Sequence, residues 1–466
     1  MAFTHGIYTN EQATSISAPI TTSAGLTVVI GAAPIHKAAG NPDKLKNIPV
    51  MIRSFDDFEE TFGYDEDFKT YGLCAAADYY FRVRGVGPLI CINVYDGGYT
   101  TEEVSTFTAS TVSAAAEEGS VWVTDESGKV LKEGTDYTVA YNAANFAVTA
   151  KGDASGKQVT IHYHVKDTAV TIDKSAIITG IGAVKKVYPA LGEVPGILIA
   201  PFFSQIPEVS AAMLAVSHDL NGSWEVMDYV DIDSTSTGAE ESSAVKAKKE
   251  AQGLTDPNQF AVWGYGMVGE KAYPGSIIAA AQSGYTDSEN EDVPYNSPSN
   301  KATPLTGICT ASGVVLYIDQ EEANAVNALG VATILNHGGY RLWGNRTCAY
   351  PTVTDVKDVF ISVRRMFNWR RNNFIATFFQ KVDDPANYRL IESIVDSYNV
   401  TGNYYVNQGY CAIDQMSFSI DENPVTELLN GVIKFHSTFS PFTPAETIKT
   451  TFEFDPNALS TALGGE

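Results

Sequence analysis

The segment Leu89-Ile-Cys-Ile-Asn-Val-Tyr95 constrains the fold most, because an extended chain of this sequence is largely apolar on both faces. A strand with one wet face alternates apolar and polar residues, whereas one that does not must be covered on both sides, as in a sheet layered with helices. Leu26-Thr-Val-Val-Ile-Gly31, Gly196-Ile-Leu-Ile-Ala200, Met227-Asp-Tyr-Val-Asp-Ile232 and Phe260-Ala-Val-Trp263 also read as strands. Helix signals lie between them. Ser54 with Asp57 three residues on opens a helix that Gly63 stops, and a second helix near 70–84 carries Cys74, Ala77, Tyr80 and Phe81. Val209, Met213, Val216 and Leu220 form a helical stripe, a helix over 241–252 ends at Gly253, and Asp319 with Glu322 opens one that stops at Gly330. A polar loop is expected over 283–304. The fold class expected is α/β (α+β) and multidomain, with a mixed sheet and helices at its core.

Two regions break this texture. Between about 100 and 170, Val121-Trp-Val-Thr, Asp136-Tyr-Thr-Val-Ala-Tyr, Phe146-Ala-Val-Thr and Val159-Thr-Ile-His-Tyr-His-Val alternate, with Ser127-Gly128 and Ser155-Gly156 as turns. Short strands at this spacing predict a small antiparallel β-sandwich inserted into the α/β domain. The termini are the second exception. Residues 1–24 carry only sparse apolar points, Phe3, Ile7 and Tyr8 among them, too few to repay the ordering entropy alone. The last third predicts helix over about 355–380, another from Asp384-Pro385, and strands at 411–420, 431–439 and 447–454. In the last of these Ile448, Phe452 and Phe454 share one face. The expected organisation is an N-terminal arm (1–24), an α/β domain (25–99 and 171–340), the inserted sandwich (100–170) and a C-terminal domain ending in a strand arm (341–466).

A formal charge of −24 over 466 residues argues against a nucleic-acid partner, since phosphate binding needs clustered Lys and Arg. No stretch is long and apolar enough to predict membrane insertion. The opening residues lack a basic region followed by an apolar run, and the five cysteines (Cys74, Cys91, Cys309, Cys348, Cys411) are far apart without a Cys-x-x-Cys. Both features predict reduced thiols and assembly inside a cell.

Few motifs point to chemistry. Gly264-Tyr-Gly-Met-Val-Gly269 follows a strand and spells a dinucleotide fingerprint, so an α/β enzyme using this loop for a nucleotide cofactor is the alternative function. Pro274 lies within the helix that such a site needs, and a tight Gly-rich turn is the simpler reading. An adhesin or surface-layer protein is a further alternative, suggested by the inserted sandwich. His162 and His164 share a strand face without a third ligand, which predicts a surface strand rather than a metal site. No nucleophile elbow, phosphate loop or His-Glu-x-x-His occurs, so no catalytic residue, cofactor or metal is expected. The unusual charge feature runs from Asp355 to Lys381, where six cations, Arg364, Arg365, Arg370 and Arg371 among them, face two carboxylates for a local net of +4. Arg370 and Arg371 fall near the apolar arc of Phe360, Val363, Phe367 and Phe374. Either the helix breaks at Asn372-Asn373, or the arginines face a partner, or they form local ion pairs at a solvated helix end.

Several segments together resemble one family. Glu321-Glu-Ala-Asn324-Ala-Val-Asn327-Ala-Leu-Gly330, then Gly338-Gly-Tyr-Arg341-Leu-Trp343-Gly344-Asn-Arg346-Thr347, is similar to the signature of contractile tail sheath proteins of bacteriophages and R-type bacteriocins. Val363-Arg-Arg-Met-Phe367, the Pro274 and Pro298 turns, and Val432-Ile-Lys-Phe435 with Pro444-Ala-Glu446-Thr-Ile448 resemble further elements in the family's order. Tyr350-Pro351 departs from the family's usual Asp-Pro. The resemblance implies a structural subunit, not an enzyme. Such subunits polymerise into stacked rings around an inner tail tube, metastable when extended, and contract on a baseplate trigger. It implies as partners further copies of the chain, the tube protein, and baseplate and tail-terminator proteins. It also implies assembly in a host cytoplasm and residence in a virion tail or bacteriocin particle. Under this reading Phe3, Ile7, Tyr8, Ile448, Phe452 and Phe454 are expected to pair with neighbouring subunits. The four arginines, Arg364 to Arg371, are candidates for the tube-facing surface.

Overall fold

Val28, Val29 and Ile30 are fully buried in β1 (Thr27–Gly31), which lies between parallel neighbours inside a wide sheet. The computed structural model describes residues 19–38, 45–95, 100–112, 116, 118–142, 145–165 and 172–464. Following β1, the chain forms β2 (Pro49–Ile52), α1 (Phe55–Phe62), α2 (Gly72–Ala77) and β3 (Leu89–Asn93). Ser54 caps α1 by accepting from the Asp57 amide, and Gly63 ends it. The second expected helix changes pitch, since α2 continues as a π-helical stretch over Asp78–Arg84.

The insert follows: β4 (Thr100–Phe107), β5 (Ala109–Val112), β6 (Trp122–Asp125), β7 (Tyr137–Asn142), β8 (Asn145–Ala150) and β9 (Lys157–His164). These form two three-stranded antiparallel sheets, β4-β9-β6 and β5-β8-β7. Phe107, Val123, Phe146, Val148, Val159 and Ile161 fill a core of their own between them. This is the expected sandwich. His164 differs from expectation: it is buried, with Nδ1 3.2 Å from the His36 carbonyl of the α/β domain. His162 stacks on Trp122.

Beyond the insert come α3 (Lys174–Gly182), α4 (Val187–Leu191), β10 (Ile197–Ile199), α5 (Pro207–Ser217), β11 (Met227–Ile232), α6 (Val245–Gln252) and β12 (Gln259–Trp263). A small sheet of β13 (Tyr265–Val268), β14 (Lys271–Pro274) and β15 (Gly307–Cys309) brackets α7 (Gly275–Ser288). The expected loop at 283 therefore starts later. Ser283, Thr286 and Asp287 are polar yet buried, and Ser283 bonds the Tyr229 hydroxyl at 2.8 Å. Then come α8 (Gln320–Asn327), β16 (Val331–Asn336) and β17 (Tyr340–Trp343). The main sheet has the order β17-β16-β12-β11-β10-β1-β3-β2. Its six inner strands are parallel and the edges β17 and β2 antiparallel, so it is mixed as expected. Each fully buried Val, Leu or Ile there contributes roughly 1.5–3 kcal/mol.

The last third holds α9 (Val356–Val359), α10 (Ile361–Phe378), α11 (Tyr388–Asn407), β18 (Cys411–Ser417), α12 (Val425–Leu429) and β19 (His436–Pro441). Phe360, in extended conformation, divides α9 from α10, and α10 runs unbroken through Asn372 and Asn373. Its successor starts at Tyr388 rather than at Pro385, because Asn387 supplies the cap to the Leu390 amide at 3.0 Å. The 447–454 segment forms no strand with any of the described residues.

Candidate assembly surfaces

The basic stretch turns inward. Arg365 is 3% exposed; its Nη1 donates to Asp287 Oδ1 at 3.1 Å and its Nη2 to the Ala24 carbonyl at 3.0 Å. Burial pushes the Asp287 carboxyl up, and the facing guanidinium opposes that. Arg370 is 7% exposed, 2.8 Å from Asp414 on β18 and stacked 3.8 Å over the Tyr398 ring. Arg364 pairs with Asp358 at 3.1 Å, and Arg371, half exposed, with Glu225 at 2.9 Å. Arg365 and Arg370 are therefore not a tube-facing surface, because their charges are neutralised within the subunit. Of the alternatives, the break at Asn372-Asn373 does not occur, and both amides are used. Asn372 bonds the amide and carbonyl of Glu225 at 3.0 and 2.8 Å, just before β11. Asn368 reaches Asn258, just before β12, at 3.1 Å. α10 thus closes one end of the main sheet and holds the β18–β19 hairpin against it.

The signature residues lock a loop. Gly330 has φ 70°, and a Cβ there would lie 2.5 Å from the Tyr350 carbonyl. Lys249 Nζ, drawn inward, donates to the Leu329, Cys348 and Tyr350 carbonyls at 2.6 to 2.8 Å. Its desolvation lowers its pKa. Gly344, at φ 137°, leaves no space for a Cβ beside Ala332. Asn327, with its amide turned to satisfy its neighbours, donates to the Trp343 and Val331 carbonyls and accepts from Trp343 Nε1. The Thr347 amide bonds the Val359 carbonyl at 2.9 Å. What this lock presents outward is Arg346, held between the Tyr350 and Phe360 rings at 4.5 and 4.3 Å.

Arg346 in turn holds the root of the C-terminal segment through Glu446. An open cleft of about 770 Å³ separates residues 442–448 from Trp343, Gly344 and Asn300. Past that root the segment is bare: Ile448 is 87%, Phe452 93% and Phe454 75% exposed. Nearby, β18 and β19 form a two-stranded antiparallel sheet, so each strand keeps one unpaired edge among the described residues. Phe3, Ile7 and Tyr8 lie outside the described residues. Sequence reasoning missed Asp287, Glu225 and Asp414 as partners of the arginines. Nothing local marks them, since a buried carboxylate looks like any other in sequence.

The Gly264 loop does not form the strand-to-helix turn of a dinucleotide fingerprint. Gly264 turns the chain from β12 into β13 with φ 94°, Gly269 turns β13 into β14, and no helix starts until Gly275. Where the chain order reverses about β1, Leu73 packs close to Gly31 and Phe202 close to Gly72. Among the described residues no group of His, Cys, Asp and Glu forms a metal site, and no helix is long and apolar enough to cross a membrane. All five cysteines are buried and free.

No family model matches the sequence. The chain is similar to the tail sheath protein of Burkholderia phage BcepMu, 26% identical over 99% of both chains. It is also similar to that of Escherichia phage P2, 23% identical over 70% of this chain and 83% of the other. Among solved structures it resembles the contracted sheath of an extracellular contractile injection system (PVC), with a TM-score of 0.61 at 13% identity, covering 98% of this chain and 99% of that one. Along almost its whole length the chain is similar to a phage tail sheath protein, and it shares the fold of the solved contractile sheath.

Proposed function

We propose that the chain is the repeating subunit of a contractile sheath. It polymerises helically around an inner tube in an extended, metastable state and contracts to drive the tube through a target envelope. The observation that carries the reading is the coexistence of an exposed apolar segment, Ile448 to Phe454, with a two-stranded sheet open at both edges. A donor strand that finds no partner among the described residues and an acceptor sheet open at its edges there complement one another between copies. Backbone ladders of this kind join subunits while their bodies move as units, as a repacking interface requires. The contacts are heterologous and therefore propagate instead of closing on a dimer.

The partners proposed are further copies of the chain, a tube protein inside, and baseplate and terminator proteins at the ends. The particle is a phage tail or a bacteriocin, assembled in the host cytoplasm. The N-terminal arm, with Phe3, Ile7 and Tyr8, is proposed as a second donor. The role needs no catalytic residue. The insert, with its own core, is proposed to face outward. Negative-stain microscopy of the purified chain, compared with a chain ending at Thr447, tests the reading. Tubes from the first and none from a folded second are expected, and tubes of equal yield from both would overturn the donor role of 448–454.

A further inference from the structure

Residues 20–24 are tied to α10 by side chains. Thr377 Oγ1 accepts from the Ile20 amide at 3.0 Å and donates to the Ile20 carbonyl at 3.3 Å. Asn373 Oδ1 accepts from the Thr22 amide at 2.7 Å and from its hydroxyl at 2.9 Å. Trp369 Nε1 donates to the Thr22 carbonyl at 2.9 Å, and Arg365 Nη2 to the Ala24 carbonyl at 3.0 Å. The helix contributes every fourth residue, and Ile20, Thr22 and Ala24 meet them in the opposite direction, with Thr22 shared by Asn373 and Trp369.

Apart from the Thr22 hydroxyl, every rung engages backbone of the segment, while all four helix residues are buried. At the inner end there is no slack. A Cβ on Gly196 would lie 2.1 Å from the Ala24 carbonyl, and one on Gly25 would lie 2.8 Å from Gly284 Cα. At the outer end Pro19, Ile20 and Thr21 are exposed. The described segment therefore lies along a track on one helix, with Pro19 at its outer end.

We propose that Arg365, Trp369, Asn373 and Thr377 are positioning residues for the inter-subunit linkage. They clamp the root of the N-terminal arm so that it departs at a fixed point and direction, and tension on the arm is delivered to α10 instead of β1. A pull along the segment loads all rungs together rather than one after another. Because the grip is on backbone, it is indifferent to most side chains at 20–24. This inference rests on the reading that residues before Pro19 link subunits.

Hydrogen exchange and sedimentation test the two ideas separately. In the full chain, Asn373→Leu with Thr377→Val should speed exchange of the Ile20 and Thr22 amides at least tenfold, leave β1 and β3 amides unchanged, and cut tube yield severalfold. Thr377→Val alone, nearly isosteric, should speed Ile20 selectively, and Thr377→Ser should restore it. Normal tubes and unchanged exchange from the double variant, when a chain lacking residues 1–18 makes none, would overturn the clamp and leave the linkage standing. Normal tubes from the truncated chain would overturn the linkage, and the clamp with it.

Discussion

Arg346 and Glu446 stand 100 residues apart and meet in a two-pronged ion pair, with Nε donating to Oε1 at 2.8 Å. Arg346 belongs to the loop locked by Gly330, Gly344 and Thr347, and Glu446 begins the bare C-terminal segment. The contact fixes where that segment leaves a rigid part of the fold. A guanidinium fork matches a carboxylate in two places, which an ammonium does not.

Replacing Arg346 with Lys, or Glu446 with Gln, should therefore free the segment without unfolding the protein. A partly exposed pair of this kind contributes about 1 kcal/mol or less, so the melting temperature should move by only a few degrees. Protease sensitivity after residue 446 should rise and tube formation fall. Unchanged cleavage in both variants would show that Glu446 does not anchor the segment.

The arginines of α10 should divide sharply by burial. Removing Arg370 by Ala substitution leaves Asp414 buried and unpaired, and breaking such a pair costs about 3–5 kcal/mol. Arg371→Glu loses an exposed contact and should cost about 1 kcal/mol at most. Denaturant titration of both variants is the check, and equal losses would contradict the placement of Arg370.

Asp228 on β11 gives a pH prediction. It is wholly buried, accepts from Ser217 Oγ at 3.0 Å, and burial holds its pKa well above the usual carboxylate value. Its protonated form is the one the fold favours. The resulting stability is complete below its unfolded pKa of about 3.9 and is lost as pH rises through the folded value. Asp228→Asn should accordingly stabilise the protein at pH 8, by about 1 kcal/mol or more, and the gain should vanish toward pH 4. Thermal melts of both proteins across that range decide it. A gain that did not depend on pH would point to packing instead.

Gly344→Ala should be costly out of proportion to its size. The residue sits at φ 137°, and the added methyl would meet the Ala332 Cα at 2.7 Å, a backbone atom that does not swing away. A loss above about 2 kcal/mol is expected by equilibrium unfolding. By contrast, replacing residues 100–165 with a short Gly/Ser linker should spare both folding and tube formation, since the insert has a separate core. Loss of tubes from a folded deletion protein would place the insert at a subunit contact.

What the sequence revealed was local. Strands such as Leu89–Asn93 announce themselves by being apolar on both faces, and Ser54, Asp319 and Gly253 cap helices by rules that involve only a few neighbours. The fate of the arginines was not legible, because Asp287 lies 78 residues from Arg365 and nothing short-range links them. The alternation at 448–454 was legible, yet it predicted a strand that finds no pairing among the described residues. Side-chain period states which face wants cover and is silent about whose sheet provides it.

The way α10 is fastened has a mechanical consequence. Its side chains reach the start of β11, the start of β12, the end of α7 and β18, mostly through buried amides and ion pairs. Sliding any of these past another would leave buried charges unpaired where water cannot reach them. Each subunit therefore behaves as a stiff lever across this junction. The travel of a contracting sheath must be taken up at its couplings and not in its body.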